Sequence, residues 1–244
     1  MKYYAKTRKL QKGYMQELKL EPKNRVILAL DVSNLDKAIS IAKQVSKYVD
    51  GIKIGYPLLL RHSASCISKI KAEVGKPIII DIKLADIPYI NKEVARILKK
   101  SGADYLIMHA FVGSIAIESA IEVFGRKNII LVVAMTHEGA SYLINRKSNR
   151  IRAIRLARNL NVFGIVAPAI YKNIVRFARK DFDRWHKKIY ILSPGIGAQG
   201  ALPGSAIQNG ADFEIVGRAI YNAKDPAKTA KGIRNKIREI SESL

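Results

Sequence analysis

Asp81, Lys83 and Asp86 stand within the segment Asp81-Ile82-Lys83-Leu84-Ala85-Asp86-Ile87-Pro88, directly after the apolar run Pro77-Ile78-Ile79-Ile80. That run reads as a buried β-strand, so the charges arrive together at its C-terminal end. Asp81 and Lys83 are two residues apart and face the same way if the strand persists that far. Asp86 falls in the following loop, because Pro88 suits the first turn of a helix. An ammonium held between carboxylates stays protonated and keeps its neighbours ionised. Such an array suits chemistry that builds negative charge beside Lys83 and then needs a proton.

Other strand ends carry matching polar groups. Candidate strands are Val26–Asp31, Gly51–Gly55, Pro77–Asp81, Asp104–His109, Ile129–Met135, Phe163–Ala167, Ile189–Ser193 and Phe213–Val216. The first ends in Asp31, the second carries Lys53, the fourth ends in His109, and the fifth runs into Thr136-His137. The two histidines read as hydrogen-bonded structural groups. Amphipathic segments such as Leu35–Tyr48 and Asn91–Lys100 lie between strands, with apolar residues recurring at three and four. Eight strands alternating with helices predict an α/β fold, a (β/α)₈ TIM barrel in one domain. A doubly wound sheet lacks support, since no Gly-x-Gly-x-x-Gly follows the first strand.

A second site is expected after the seventh and eighth strands. Ser193-Pro194-Gly195-Ile196-Gly197-Ala198-Gln199-Gly200 is a glycine-rich loop, and Gly217-Arg218-Ala219-Ile220-Tyr221 opens a helix. Loops at these positions bind phosphate in barrels, and Arg218 can add a bidentate contact.

Composition excludes several classes. With 244 residues, 48% of them hydrophobic, the chain can bury a large core. Its single cysteine, Cys66, allows no internal disulfide and reads as a small buried apolar residue. No secretory h-region follows the N-terminal Met1-Lys2-Tyr3-Tyr4, and uncharged runs such as Ile129 to Met135 are too short for a bilayer. A cytoplasmic protein is expected, with no membrane partner. The net charge of +23 steers anionic ligands inward, yet the cations are spread along the chain and aromatics make up only 7%. Basic solvated helix faces account for that charge, and a nucleic-acid partner is not expected. Residues 1–24 precede the first strand as a basic extension, either a helix across the barrel floor or a frayed tail, leaving 25–244 for the barrel.

These residues resemble the orotidine 5′-phosphate decarboxylase family in its short archaeal form. The resemblance covers roughly residues 25 to 230. It rests on Ala29-Leu30-Asp31, Lys53-Ile54-Gly55, the Asp81–Pro88 segment, the Ser193–Gly200 loop and Gly217–Tyr221. It implies a homodimer with active sites at the interface, converting orotidine 5′-monophosphate to UMP and CO₂ without metal or cofactor. Lys83 would be the proton donor to C6, and Asp81 would sit against the substrate carboxylate. Asp86, with Ile87 beside it, would come from the partner subunit. Asp31 and Lys53 would bind ribose hydroxyls, with Lys53 completing the charge network. Thr136, at a position usually held by serine, would contact the base. Gln199 and Arg218, with the amides of Gly217 and Arg218, would grip phosphate, and the loop from Pro194 to Pro203 would close over the substrate. One departure is Ile90, where the family commonly has a threonine that assists ribose contact. Metal-dependent sugar-phosphate relatives share the Asp-x-Lys-x-x-Asp segment but use an acidic residue on strand two to help hold Mg²⁺. Here that position is Lys53, whose ammonium repels a divalent cation.

Overall fold

The computed structural model describes residues 18–243. Eight parallel strands close into one barrel in sequence order: β1 (Val26–Leu30), β2 (Gly51–Gly55), β3 (Ile78–Leu84), β4 (Tyr105–His109), β5 (Ile129–Val132), β6 (Gly164–Val166), β7 (Tyr190–Pro194) and β8 (Phe213–Val216). β8 pairs with β1 through Val26–Glu214 and Ile27–Ile215, so no strand edge is left open. Outside lie α1 (Leu35–Val45), α2 (Tyr56–His62), α3 (Ser65–Val74), α4 (Pro88–Lys100), α5 (Gly113–Phe124), α6 (Lys147–Leu160), α7 (Lys172–Arg184), α8 (Arg218–Tyr221) and α9 (Pro226–Glu242). Local chemistry sets several helix starts. Asn34 and Asp225 accept from the amides of Lys37 and Lys228, and Pro88 opens α4 where no amide donor is needed.

Alternation along the strands divides the core into two shells. Ile52, Ile54, Ile78 and Ile80 point outward to the helices, whereas Ile27, Ile79, Ile107 and Ile130 fill the barrel. The interior also stacks Tyr105 on Phe163 (4.6 Å between ring centres) and Phe163 on Tyr190 (4.8 Å). These rings occupy the lower half of the barrel, leaving the inward positions above them for the polar residues of the mouth.

Of the expected N-terminal extension, residues 1–17 lie outside the described residues. From Leu18 onward the chain passes under the barrel without helical structure, with the amide of Leu20 donating to the Tyr105 hydroxyl at 2.9 Å. The Leu20 side chain is buried against the barrel-lining cluster. Among the described residues, it is the Leu20 side chain that closes the floor.

Two strands differ from expectation by more than one residue at an end. β5 stops at Val132, because the Asn145 side chain takes over Met135, accepting from its amide at 3.1 Å and donating to its carbonyl at 2.7 Å. β3 runs on to Leu84 but slips register against β4 between Asp81 and Leu84. Lys83 sits in that bulge with φ +47°, a left-handed conformation rare for a side chain of its size.

Candidate active site

The strand mouths bring Asp31, Lys53, Asp81 and Lys83 into one connected array. Lys53 Nζ lies 3.4 Å from Asp31 Oδ1 and 2.9 Å from Asp81 Oδ2, and Lys83 Nζ lies 3.0 Å from Asp81 Oδ1. Asp81 is thus clamped between two ammonium groups, one on each carboxylate oxygen. The geometry follows from the strands. Lys53 on β2 registers with Ile79 on β3, one inward position below Asp81. The bulge then redirects Lys83 so that its amine returns to Asp81. The Tyr56 hydroxyl, at the top of β2, donates to the Ile82 carbonyl at 2.7 Å and braces that bulge. Gly55 leaves room for the Asp31 carboxylate, since a Cβ there would stand 3.1 Å from Asp31 Oδ1.

Burial grades the array. The side chains of Lys53 and Asp81 are 8% and 11% exposed, those of Lys83 and Asp31 about 38% and 41%. Burial alone would lower the Lys53 ammonium, but Asp81 and then Asp31 outweigh it and hold its pKa above that of an ordinary lysine. For Asp81, burial favours the neutral acid, and Lys53 and Lys83 reverse that, leaving the carboxyl below its usual range. Both central groups are therefore charged at neutral pH.

The array lines a cavity of about 520 Å³ together with Pro194, Gly195, Gln199, Gly217 and Arg218, at and after the ends of β7 and β8. Gly195 (φ +107°) and Gly197 (φ +72°) take conformations suited to glycine, and the loop closes on itself through the Gly197 amide and the Ala201 carbonyl at 2.8 Å. A Cβ on Gly195 would also stand 3.0 Å from Gln199 Oε1. Thr136 and His137 line the cavity from the segment after β5. Charged array, hydroxyl and glycine-rich loop thus share one chamber, large enough for a nucleotide-sized ligand.

Two anticipated residues stand apart. Asp86 is exposed and makes no ion pair among the described residues. Its backbone is fixed by buried Asn91, which accepts from the Asp86 amide (3.1 Å) and donates to its carbonyl (2.9 Å). Ile87, beside it, is 62% exposed. His109 stacks on Phe111 at 4.7 Å, and its buried Nδ1 has no hydrogen-bond partner among the described residues, contrary to the expectation of a hydrogen-bonded group. Burial, then Lys83, lower its pKa, so the ring is neutral. Sequence reasoning gave no role to Tyr56 or Tyr221, which both line the cavity, nor to Asn91. Each had a signal: Tyr56 follows the Lys53-Ile54-Gly55 strand end, Tyr221 closes the Gly217 motif, and Asn91 is a polar residue on the apolar face of a helix.

Fold and site together define a (β/α)₈-barrel enzyme whose mouth joins a buried lysine–aspartate array to a glycine-rich loop. The model of the orotidine 5′-phosphate decarboxylase / HUMPS family matches residues 24–233. An orotidine 5′-phosphate decarboxylase of Pyrococcus furiosus is 41% identical over 216 residues, covering 88% of this chain and 99% of the relative. The enzyme of Pyrococcus horikoshii is 43% identical over 215 residues, with 88% and 100% covered. A crystal structure of orotidine 5′-phosphate decarboxylase from Pyrococcus horikoshii superposes with a TM-score of 0.80 at 44% identity, covering 87% of this chain and 99% of that one. A Methanocaldococcus jannaschii orotidine 5′-monophosphate decarboxylase complexed with the inhibitor BMP gives 0.79 at 33% identity, with 87% and 98% covered. The chain belongs to the orotidine 5′-phosphate decarboxylase / HUMPS family, as a carboxy-lyase.

Proposed function

We propose that this protein converts orotidine 5′-monophosphate to UMP and CO₂ in pyrimidine biosynthesis, in the cytoplasm, with Lys83 as proton donor and no metal. The observation that carries this reading is the Asp31–Lys53–Asp81–Lys83 array, with both oxygens of Asp81 held by ammonium groups at 2.9 and 3.0 Å. The substrate carboxylate lies beside Asp81, and losing CO₂ relieves that like-charge contact. As the C6–carboxylate bond breaks, its electron pair stays on C6, where the adjacent Lys83 ammonium stabilises it. Lys83 then delivers its proton to that carbon and recovers one from solvent. Lys53 and Asp31 hold the ribose hydroxyls and Thr136 meets the base. Gln199, Arg218 and the amides of Gly217 and Arg218 grip the phosphate, and the loop from Pro194 closes over it. Phosphate binding thereby contributes free energy to holding the substrate carboxylate against the distant array. A fixed ammonium at Lys53, between the two carboxylates a divalent ion would need, supports the metal-free assignment.

The active unit is a homodimer in which Asp86 of the partner subunit reaches Lys83 and a ribose hydroxyl, with Ile87 of the partner subunit packing alongside. Asp86, with no ion pair among the described residues, supports this, as do the exposed apolar side chains of nearby Tyr89 (69%) and of Leu60 on α2 (81%) and Ile115 on α5 (73%). Ile90, only 37% exposed, offers no hydroxyl there, so one ribose hydrogen bond worth about 1 kcal/mol is missing.

The test follows ultraviolet absorbance of orotidine 5′-monophosphate in buffer containing EDTA. Rapid conversion to UMP is expected. Turnover that requires added Mg²⁺, or turnover of sugar phosphates instead, refutes the assignment. A fully active monomer in the ultracentrifuge refutes the shared site.

A further inference from the structure

Along the sequence the positive charge looks dispersed, but folding gathers part of it on one side. Between Arg146 and Lys188 there are thirteen Lys and Arg against two Asp. The two acids are already engaged by half-buried arginines, Asp181 by Arg158 at 3.0 Å and Asp183 by Arg179 at 3.6 Å. Arg179 also pairs with Asp212, on the loop before β8. What remains on this surface has no ion-pair partner among the described residues. Lys172, Arg176, Lys180 and Arg184 are exposed and recur every fourth residue of α7, forming one row with a cation every ~6 Å of helix axis. Arg152 and Arg155 are exposed on neighbouring α6.

Both ends of the row continue it. At the floor end Lys187 and Lys188 meet Arg126 and Lys127, and Lys127 Nζ lies 3.5 Å from the Lys188 carbonyl. Burial, then Lys187 and Arg126, press the Lys127 ammonium below its usual pKa, as crowding of like charge requires. At the mouth end, between the first turns of α6 and α7, opens a groove of about 540 Å³. Its rim carries Lys147, Arg150 and Lys172, and its walls are Ile170, Tyr171 and Phe177. Phe177 is 38% exposed.

We propose that this face binds single-stranded nucleic acid, the cation row of α7 tracking the phosphates and the groove taking an unstacked base against Phe177. A regular row suits a polymer of evenly spaced charge better than a compact acidic patch, and an aromatic wall behind a cationic rim suits a planar base. α6 and α7 follow β5 and β6, across the closed barrel from the β2 and β3 side that carries Tyr56 and Ile87. Binding here leaves the proposed subunit contact free.

The test is fluorescence anisotropy of a labelled uridine 20-mer with the full-length protein, across about 50–200 mM salt. Affinity is expected to fall steeply with salt, with a log–log slope of about −3 for four to five phosphates. The Arg176→Glu/Lys180→Glu variant should bind about tenfold or more weakly, with a slope shallower by about 1.4. Lys228→Glu/Lys231→Glu on α9 makes the same charge change and should stay within about threefold. Phe177→Ala should cost about fivefold or more for the single strand and little for a duplex. Thermal melts check that each variant is folded. Equal losses in the two charge-reversal variants, an unchanged Phe177→Ala, or no binding at about 150 mM salt would each overturn the proposal. So would row-dependent sedimentation with anionic vesicles in the absence of RNA binding.

Discussion

Lys83 holds a left-handed backbone conformation (φ +47°) while bearing the ammonium that faces Asp81, so two properties of one residue can be separated. Replacing it by Ala or by Gly removes the same amine and the same ion pair, and only the backbone differs. A non-glycine residue in this region costs about 1–2 kcal/mol. Glycine relieves that cost but loses about 0.4–1 kcal/mol through the extra freedom of the unfolded chain. The balance leaves Lys83→Gly more stable than Lys83→Ala by roughly 0.5–1 kcal/mol. At this chain length that is a difference of roughly 1–4 °C in melting temperature. Both variants should lose at least ~3–4 kcal/mol of transition-state stabilisation, roughly 10²–10³-fold or worse in kcat. Paired urea and thermal melts, with kcat from the absorbance assay, measure both effects. If Lys83→Gly is the less stable of the two, the bulge is not strained. If either variant keeps kcat near wild type, Lys83 is not the proton donor.

Other perturbations separate binding, electrostatics and folding. Arg218→Ala should raise KM and leave kcat for saturating substrate within a few-fold, read from initial rates over a wide substrate range. Lys71 and Asp104 are 4% and 1% exposed and pair at 2.6 Å, so Lys71→Met strands a buried carboxylate and should cost about 3–5 kcal/mol in urea denaturation. The folded pKa of Asp81 lies below its ordinary 3.8, so its stabilisation is complete above that value and is lost as pH falls through the folded pKa. The folded pKa of Lys53 lies above 10.5, so its contribution survives until pH rises through that value. Urea midpoints of wild type and Asp81→Asn should therefore differ by a constant amount from about pH 5 to 9 and converge below pH 3.8.

The barrel was legible because its strands are runs of β-branched residues wedged between amphipathic segments. Gly51–Gly55 and Phe213–Val216 were bounded as found, since glycine or a charge marks each edge. Errors arose where a side chain replaces backbone pairing. Asn145 ends β5 by taking both polar groups of Met135, a contact spanning ten residues that no local period encodes. The bulge at Lys83 was hidden for the same reason. Alternation alone put Asp81 and Lys83 on one face of a regular strand, whereas the structure unites them by breaking the alternation and bracing the break with Tyr56. Within the site, charges at strand ends announce themselves. Supports such as Asn91, buried behind Asp86, look like ordinary helix residues until the helix is docked.

The site divides by burial. Lys53 and Asp81 are enclosed, with their partners supplied by one protomer, so that half is set when the barrel folds. Lys83 and Asp86 stand at the rim, and Asp86 has its backbone fixed by Asn91 while its carboxylate has no cation among the described residues. Fixing the backbone of an exposed carboxylate costs conformational entropy that the isolated protomer does not recover through an ion pair. On the proposed dimeric reading, that prior ordering lowers the cost of association, because Asp86 already points outward beside an apolar surface. It also ties catalysis to assembly, since the rim of each site is completed only when two copies meet. Asn91→Ala would then leave the enclosed half of the array unchanged and loosen Asp86, lowering activity most at protein concentrations near the dimer dissociation constant. Specific activity measured against protein concentration separates that outcome from simple misfolding, which would lower activity equally at every concentration.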